Sequence, residues 1–170
     1  VVGGTTVDVR LVRSASGWRV TELHPADPGA PVASLSSAAT RVLAEPRIDL
    51  PAAAVADIHA GRIHDSVLTT LLTLASTYRI GVSILRSGHP LLVFGTSRAS
   101  DHPAGRAVDT WTIDGHAVVA PATPRSLVTA YMRAMADLGS YNVGGPVQLG
   151  GSAFFTDNTH HDHVHAGFRT

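Results

Sequence analysis

Two helical patterns, separated by strands that turn back on themselves, constrain the fold of this chain most strongly. Apolar residues recur at helical spacing over 66–79 and over 125–138, whereas residues 105–113 alternate as a strand does. The dipeptide Asp114-Gly115 then favours a hairpin turn, and residues 162–168 have the period of a last strand. Because helices and strands do not alternate regularly, the sequence predicts an α+β fold.

The first part of the chain has a different character. Residues 6–23 alternate on both sides of a Ser-Ala-Ser-Gly turn and predict a β-hairpin. Residues 24–33 contain three prolines and a glycine, which indicate a loop or linker. We therefore divide the chain into an N-terminal hairpin and linker region at 1–50 and a second domain at 51–170.

Charge and cysteine content exclude several classes of protein. The thirteen basic residues balance thirteen acidic ones, so no basic stripe is available to bind nucleic acid. The absence of cysteine excludes disulfides and thiolate zinc sites. No apolar run approaches the roughly 18 residues that a membrane-spanning helix needs. We expect a monomer with neither a membrane span nor a nucleic-acid partner.

A first candidate site lies between Ser100 and Asp109. His102 comes before a Pro-Ala-Gly turn, and Asp109 follows within the predicted strand. Neutral imidazole and carboxylate groups are ordinary zinc ligands. Small residues between the two side chains allow the backbone to fold tightly enough to bring both to one metal ion.

A second candidate site is a histidine cluster near the end of the chain. Four of the ten histidines lie between positions 160 and 165. If 162–168 is a strand, His163 and His165 share one face and Asp162 points to the other. Together the two clusters supply two histidines and one aspartate to a metal, with a further acid or base nearby. Three protein ligands and one open position are typical of a catalytic zinc site.

The pattern S-x-H-x-x-G-x-A-x-D resembles the first metal motif of the zinc D-Ala-D-Ala carboxypeptidases and vancomycin-resistance dipeptidases. All five specified residues are present, namely Ser100, His102, Gly105, Ala107 and Asp109. The second motif of that family has an acid three residues before a histidine ligand, and Asp162 and His165 keep this spacing. The resemblance covers residues 60–168 and implies the fold shared with the hedgehog amino-terminal domain, a small antiparallel sheet flanked by helices.

The same resemblance implies the ligands and the base. His102, Asp109 and His165 would bind Zn²⁺, and Asp162 would be the general base. His163 is the alternative base, because it also suits the H-x-H pair of related lysostaphin-like enzymes. The family usually has glutamate as its base, but both glutamates of this chain lie before residue 50, so the catalytic carboxylate would have to be an aspartate.

The resemblance further implies residues that contact the substrate. Arg86, at the end of a predicted strand over 80–85, would anchor the transition state or a substrate carboxylate, with Arg98 as the alternative. Ser100 would also bind substrate. The other histidines, including His89 and His160, are expected in turns or in hydrogen bonds that support the ligands.

The sequence leaves two functions open. The first is a zinc-dependent peptidase that hydrolyses short peptidoglycan stem peptides, which implies an exported or cell-wall-associated location. The second is a non-catalytic zinc-containing module that binds a wall peptide or a protein partner. The fourth coordination position distinguishes them: water there favours an enzyme, and a fourth protein ligand such as His163 or His160 favours a structural site.

Overall fold

A computed structural model describes residues 7–25 and 27–170 of the chain. The described part contains four helices, which are α1 (Ser37–Ala44), α2 (Ala52–His59), α3 (Asp65–Ala75) and α4 (Arg125–Asp137). Its nine strands are β1 (Val7–Ser14), β2 (Gly17–Pro25), β3 (Ile48–Asp49), β4 (Ile80–Ile84), β5 (Ala107–Ile113), β6 (His116–Ala117), β7 (Asn142–Gly144), β8 (Phe154–Phe155) and β9 (Val164–Gly167). Helices and strands are interspersed without regular alternation, so the predicted α+β class is confirmed.

Seven strands form one mixed sheet, in which β6 pairs with β5 and the other strands follow the order β3-β4-β5-β9-β7-β8. Antiparallel pairing joins β4, β5, β9 and β7, whereas β3 with β4 and β7 with β8 are parallel. The prediction of a small antiparallel sheet is therefore wrong. The edge strands β3 and β8 have two residues each, which is too short for a pattern of alternation to indicate them.

The two long helices lie where the periodicity predicts them. Helix α3 ends at Ala75, before the predicted end at 79, and the amides of Ser76 and Thr77 donate to the carbonyls three residues back, as in a tighter last turn. Helix α4 is followed by Gly139, whose φ of +97° suits the end of a helix. None of the described helices is both long and apolar enough to span a membrane.

The hydrophobic core lies between the helices and the sheet. Helix α3 contributes Val67 and Leu71, and helix α4 contributes Met132 and Met135, all of them fully buried. Helix α1 and strand β3 also belong to this core, through residues such as Val42 and Ile48. Core residues therefore lie on both sides of residue 50.

Strands β1 and β2 form a separate two-stranded antiparallel hairpin. The hairpin covers residues 7–23 of the predicted segment and extends to Pro25, while residues 1–6 and 26 of the predicted N-terminal region lie outside the described residues. Large apolar side chains on the hairpin are exposed, among them Val9, Leu11, Trp18, Val20 and Leu23. The hairpin is thus set apart from the main core.

Candidate metal centre

The turn after Ser100 fixes the position of His102. Gly105 has a φ of +70°, and its amide donates to the His102 carbonyl at 2.8 Å. A Cβ at Gly105 would overlap the Arg62 carbonyl oxygen, so only glycine fits both the backbone conformation and the close approach. The buried Ser100 hydroxyl accepts a hydrogen bond from the His102 amide at 3.3 Å. Ser100 and Gly105, both residues of the motif, therefore shape the turn.

Strands β5 and β9 bring two further side chains to His102. Asp109 on β5 is the direct antiparallel partner of His165 on β9, so the two side chains lie on the same face of the sheet. Asp109 Oδ1 lies 3.2 Å from His102 Nε2 and 2.9 Å from His165 Nδ1. The two histidine nitrogens are themselves 3.2 Å apart. The three predicted ligands therefore converge, and all three are buried.

The spacing of these three atoms fits a transition-metal ion. Ligands about 2.0–2.2 Å from a metal in tetrahedral geometry are separated from one another by about 3.3–3.6 Å. The observed separations of 2.9–3.2 Å are close to this range. Two imidazole nitrogens and a carboxylate oxygen are ligands that zinc and similar divalent metals accept.

The Leu85 carbonyl determines which nitrogen of His102 faces this cluster. His102 Nδ1 lies 2.7 Å from the Leu85 oxygen, which has no proton to give, so Nδ1–H is the donor. In the neutral ring, Nε2 then carries the lone pair directed at Asp109 and His165. A metal ligand held in this way by its other nitrogen is fixed in both tautomer and orientation.

His89 joins the cluster from the loop that follows β4, in a place that the sequence did not indicate. Its ring stacks on that of His102, with centroids 4.2 Å apart and 16° between the planes. The ligand atoms of His89, His102 and Asp109 lie within 4.8 Å of one another, so this group can bind a metal ion. His102 and Asp109 are buried, and His89 is half-buried. The shorter separations belong to His165, so His89 offers one more ligand atom beside the closer set. His89 lies outside both motifs, and its place depends on how the loop folds.

The electrostatics of the cluster keep Asp109 ionised and act differently on the histidines around it. Burial lowers the pKa of His165, and burial together with the neighbouring His102 lowers the pKa of His89 to about 3. Burial opposes ionisation of Asp109, but the adjacent His102 outweighs it and holds the pKa of Asp109 well below its usual value. Burial likewise disfavours charge on His102, yet the Asp109 carboxylate raises the pKa of His102 overall. Burial therefore favours the neutral form of His89 and His165, whereas the Asp109 carboxylate stabilises a proton on His102, at the point where a bound cation would replace it.

His163 approaches the same carboxylate from the residues before β9. The strand begins at Val164, so Asp162 and His163 precede it, whereas the sequence predicted a strand from 162. His163 Nε2 lies 3.6 Å from Asp109 Oδ1, and its Nδ1–H donates to the Asp162 carboxylate at 2.7 Å. The Asp162 side chain is 52% exposed, compared with 18% for His163. His163 therefore faces the cluster, and Asp162 bonds the opposite nitrogen of its ring.

Arg86 and Arg98 differ in what they face. Arg86 Nε donates to the Pro103 carbonyl at 3.2 Å, and its Nη1 donates to the Asp27 carbonyl at 3.0 Å. The small cavity at the cluster, about 40 Å³ in volume, is lined by Arg98 and Ser100 but not by Arg86. The geometry thus favours Arg98, the alternative, as the arginine nearer to a bound substrate.

His160 also lies among these histidines and is held by its own carboxylate. Its Nδ1–H donates to Asp157 at 2.7 Å, and its ring centroid is 5.2 Å from that of His163. Burial raises the pKa of Asp157, but the hydrogen bonds and charge of His160 together outweigh this and lower the pKa overall. His160 thus lies next to the cluster in a hydrogen-bonded turn, which agrees with the expectation from the sequence.

Comparisons of the chain with models of protein families, with curated proteins and with solved structures found no match. The relation to zinc D-Ala-D-Ala carboxypeptidases and the hedgehog-like fold therefore remain predictions from the sequence. The group formed by His89, His102 and Asp109 is the evidence that this chain can bind a metal.

Proposed function

We propose that this protein is a zinc-dependent peptidase that hydrolyses short cell-wall peptides. The observation that carries the proposal is the approach of His102, Asp109 and His165, whose ligand atoms lie within 3.2 Å of one another. Three nitrogen and oxygen ligands without thiolate match the composition of catalytic zinc sites. A peptidoglycan substrate lies outside the cytoplasmic membrane, so the proposal includes an exported location.

His163 is the proposed general base. A zinc ion in this site supplies Lewis acidity, which lowers the pKa of water and polarises a carbonyl group. His163 Nε2, 3.6 Å from Asp109 Oδ1, is within reach of a water molecule at the cluster and can take its proton. The Nδ1–H bond to Asp162 keeps the lone pair on Nε2 and stabilises the imidazolium that forms. The two alternatives left open by the sequence thus become a pair, with Asp162 orienting His163.

Arg98 is the proposed anchor for a substrate carboxylate. It lines the cavity at the cluster, and a guanidinium group binds a carboxylate through two parallel hydrogen bonds. Ser100 acts on the substrate only indirectly in this proposal, because its hydroxyl bonds the His102 amide and so holds the turn.

The test compares three zinc-loaded variants on a peptidoglycan stem peptide that ends in D-Ala-D-Ala. We expect His163→Ala to keep zinc and to lose about 100- to 10,000-fold in kcat. Asp162→Asn should lose about 10- to 100-fold, the usual effect of removing the partner of a ligand or base. His161→Ala is the matched control, because His161 is exposed and its Nδ1 bonds the Asn158 carbonyl.

Two results would contradict this assignment. If Asp162→Asn is inactive while His163→Ala is fully active, Asp162 is itself the base. If the zinc-loaded wild type cleaves no wall peptide, the peptidase proposal fails.

A non-catalytic zinc module is the second candidate, and His89 favours it. His89 offers a fourth protein nitrogen near His102 and Asp109, and four protein ligands are typical of structural zinc sites. X-ray absorption of the zinc-loaded protein and of His89→Ala separates the two. An unchanged number of histidine ligands in the variant supports the enzyme, and the loss of one supports the module.

A further inference from the structure

A second and larger cavity lies beside the metal-binding cluster, and we call it the hairpin cleft. One wall is the N-terminal hairpin, through residues such as Leu11 and Val12, and the other is the loop 90–96. Its volume is about 620 Å³. Sites for small ligands usually measure about 300–1,000 Å³, so the cleft is large enough for a substantial apolar group.

The loop wall of the cleft is held in place by its own hydrogen bonds. Leu92 and Ala99 form an antiparallel bridge, and the Val93 amide donates to the Arg98 carbonyl at 2.8 Å. At the base of the loop, the Ser100 amide donates to the Leu91 carbonyl at 3.0 Å. The wall is therefore organised before any ligand arrives, which lowers the cost of binding.

The cleft is adjacent to the small cavity at the cluster, and the two share lining residues. The loop 90–96 begins directly after His89. The chain returns from it to Ser100, two residues before His102, so both ends of the loop are attached to the cluster. Arg10 and Phe94 line both cavities. The Arg10 guanidinium lies 4.6 Å from the centroid of the Phe94 ring, and this contact forms the partition between them.

The lining of the cleft is mostly apolar, with Arg10 and Glu22 as its charged residues, and it is open to water. Leu91, Leu92 and Phe94 in the loop, and Leu11 and Val12 in β1, are all exposed large apolar side chains. A contiguous group of this kind on a protein surface usually marks a place where something binds. The position beside the cluster makes the substrate itself the natural occupant.

We infer that the hairpin cleft is a subsite for an apolar side chain of the same peptide whose scissile bond lies at the cluster. This inference rests on the proposed peptidase function. An extended peptide advances about 3.3 Å per residue, and side chains on one face recur at about twice that distance. Because the loop that starts at Pro90 directly follows His89, and Phe94 lines both cavities, a residue one or two positions from the scissile bond would lie beside this loop. The N-terminal hairpin then determines specificity, because it supplies half of the subsite.

The experiment measures binding and cleavage of two acetylated peptides, Leu-D-Ala-D-Ala and Ser-D-Ala-D-Ala, by the zinc-loaded protein. Calorimetry gives the dissociation constants, and product analysis of the same samples gives the rates. We expect the leucine peptide to bind about 10- to 100-fold more tightly, the usual effect of burying one large aliphatic side chain. Leu92→Gln and Val12→Gln should each remove most of this preference.

Val20→Gln is the matched control, because Val20 lies in the same hairpin, is 50% exposed compared with 42% for Val12, and does not line the cleft. It should keep the full preference. Equal binding of the two peptides by the wild type, or an unchanged preference in both cleft variants, would overturn the subsite. A dimer that is seen in sedimentation and that Leu92→Gln dissociates would also overturn the subsite, because a second copy of the chain would then fill the cleft. If the protein binds the leucine peptide more tightly but cleaves neither peptide, only the peptidase proposal is wrong. If it cleaves both peptides but binds them equally, only the subsite is wrong.

Discussion

Gly105→Ala tests whether the turn that carries His102 has the geometry described. An alanine at a φ of +70° costs about 1–2 kcal/mol in backbone strain. Its Cβ would also overlap the Arg62 carbonyl oxygen, and relieving such an overlap by moving packed backbone typically costs about 1–3 kcal/mol. The movement would strain the bond from the His64 amide to the Gly105 carbonyl, now 3.0 Å, which contributes about 1 kcal/mol. We expect a total loss of about 3–6 kcal/mol in the free energy of unfolding.

Gly115→Ala separates the overlap from the backbone strain. Gly115 has a similar φ of +79°, but a Cβ there would meet nothing within 4 Å. Its loss should be about 1–2 kcal/mol, the backbone strain alone. Urea unfolding of the metal-free variants gives both values, and calorimetric titration with Zn²⁺ should show weaker binding only for Gly105→Ala. Equal losses of stability and unchanged zinc affinity in both variants would refute the close approach to Arg62.

Two further predictions concern the metal itself. The wild type should hold about one equivalent of zinc after dialysis, and His102→Ala and His165→Ala should each lose it, because each removes one of the three closest ligand atoms; full zinc content in both variants would show that the ligands are others. Zinc should also stabilise the fold by binding only the native state, by about 2.7 kcal/mol at a free concentration 100 times Kd, which corresponds to a rise in Tm of about 5–10 °C; a Tm that chelation leaves unchanged, with removal of the metal verified, would contradict this.

The candidate ligands His102, Asp109 and His165 could be predicted because each motif is local. His102 and Asp109 belong to one turn and the strand after it, and His165 lies in a short strand with its own alternation. Their meeting depends on the pairing of β5 with β9, in a register that sets Asp109 opposite His165. That register involves residues 56 positions apart, and no local pattern specifies it. The resemblance to a metal motif, and not the periodicity, is what predicts that His165 meets His102 and Asp109.

The neighbours of the ligands could not be predicted in this way. His89 and the Leu85 carbonyl act on His102 through the path of the loop after β4, which leaves no mark in the sequence. The assignment of Arg86 over Arg98 followed position along the chain, whereas the side-chain partners of Arg86 hold it at Pro103 and Asp27. Side-chain direction at the end of a strand depends on tertiary contacts.

The proposal that His163, and not Asp162, is the base depends on tertiary contacts in the same way. A strand from 162 would have put His163 and His165 on one face by alternation, with Asp162 on the other. The strand begins only at Val164, and the residues before it are bends, yet His163 still faces Asp109. Its position follows from the hydrogen bond of Nδ1 to Asp162, which turns Nε2 toward Asp109 at 3.6 Å. Both candidates that the sequence indicates lie next to each other, and His163 is the one that approaches Asp109.

The cluster combines rigid and adaptable parts in a way that suits catalysis. Asp109 and His165 belong to adjacent strands inside the sheet, and the glycine turn and the Leu85 carbonyl fix His102. Ligands held in this way keep their separations when a substrate arrives. His163 and the walls of the hairpin cleft belong instead to loops and to the N-terminal hairpin, where side chains can adjust to a bound peptide. Changes in the loops should therefore alter rate and specificity while the metal stays bound, and changes in β5 or β9 should remove the metal itself.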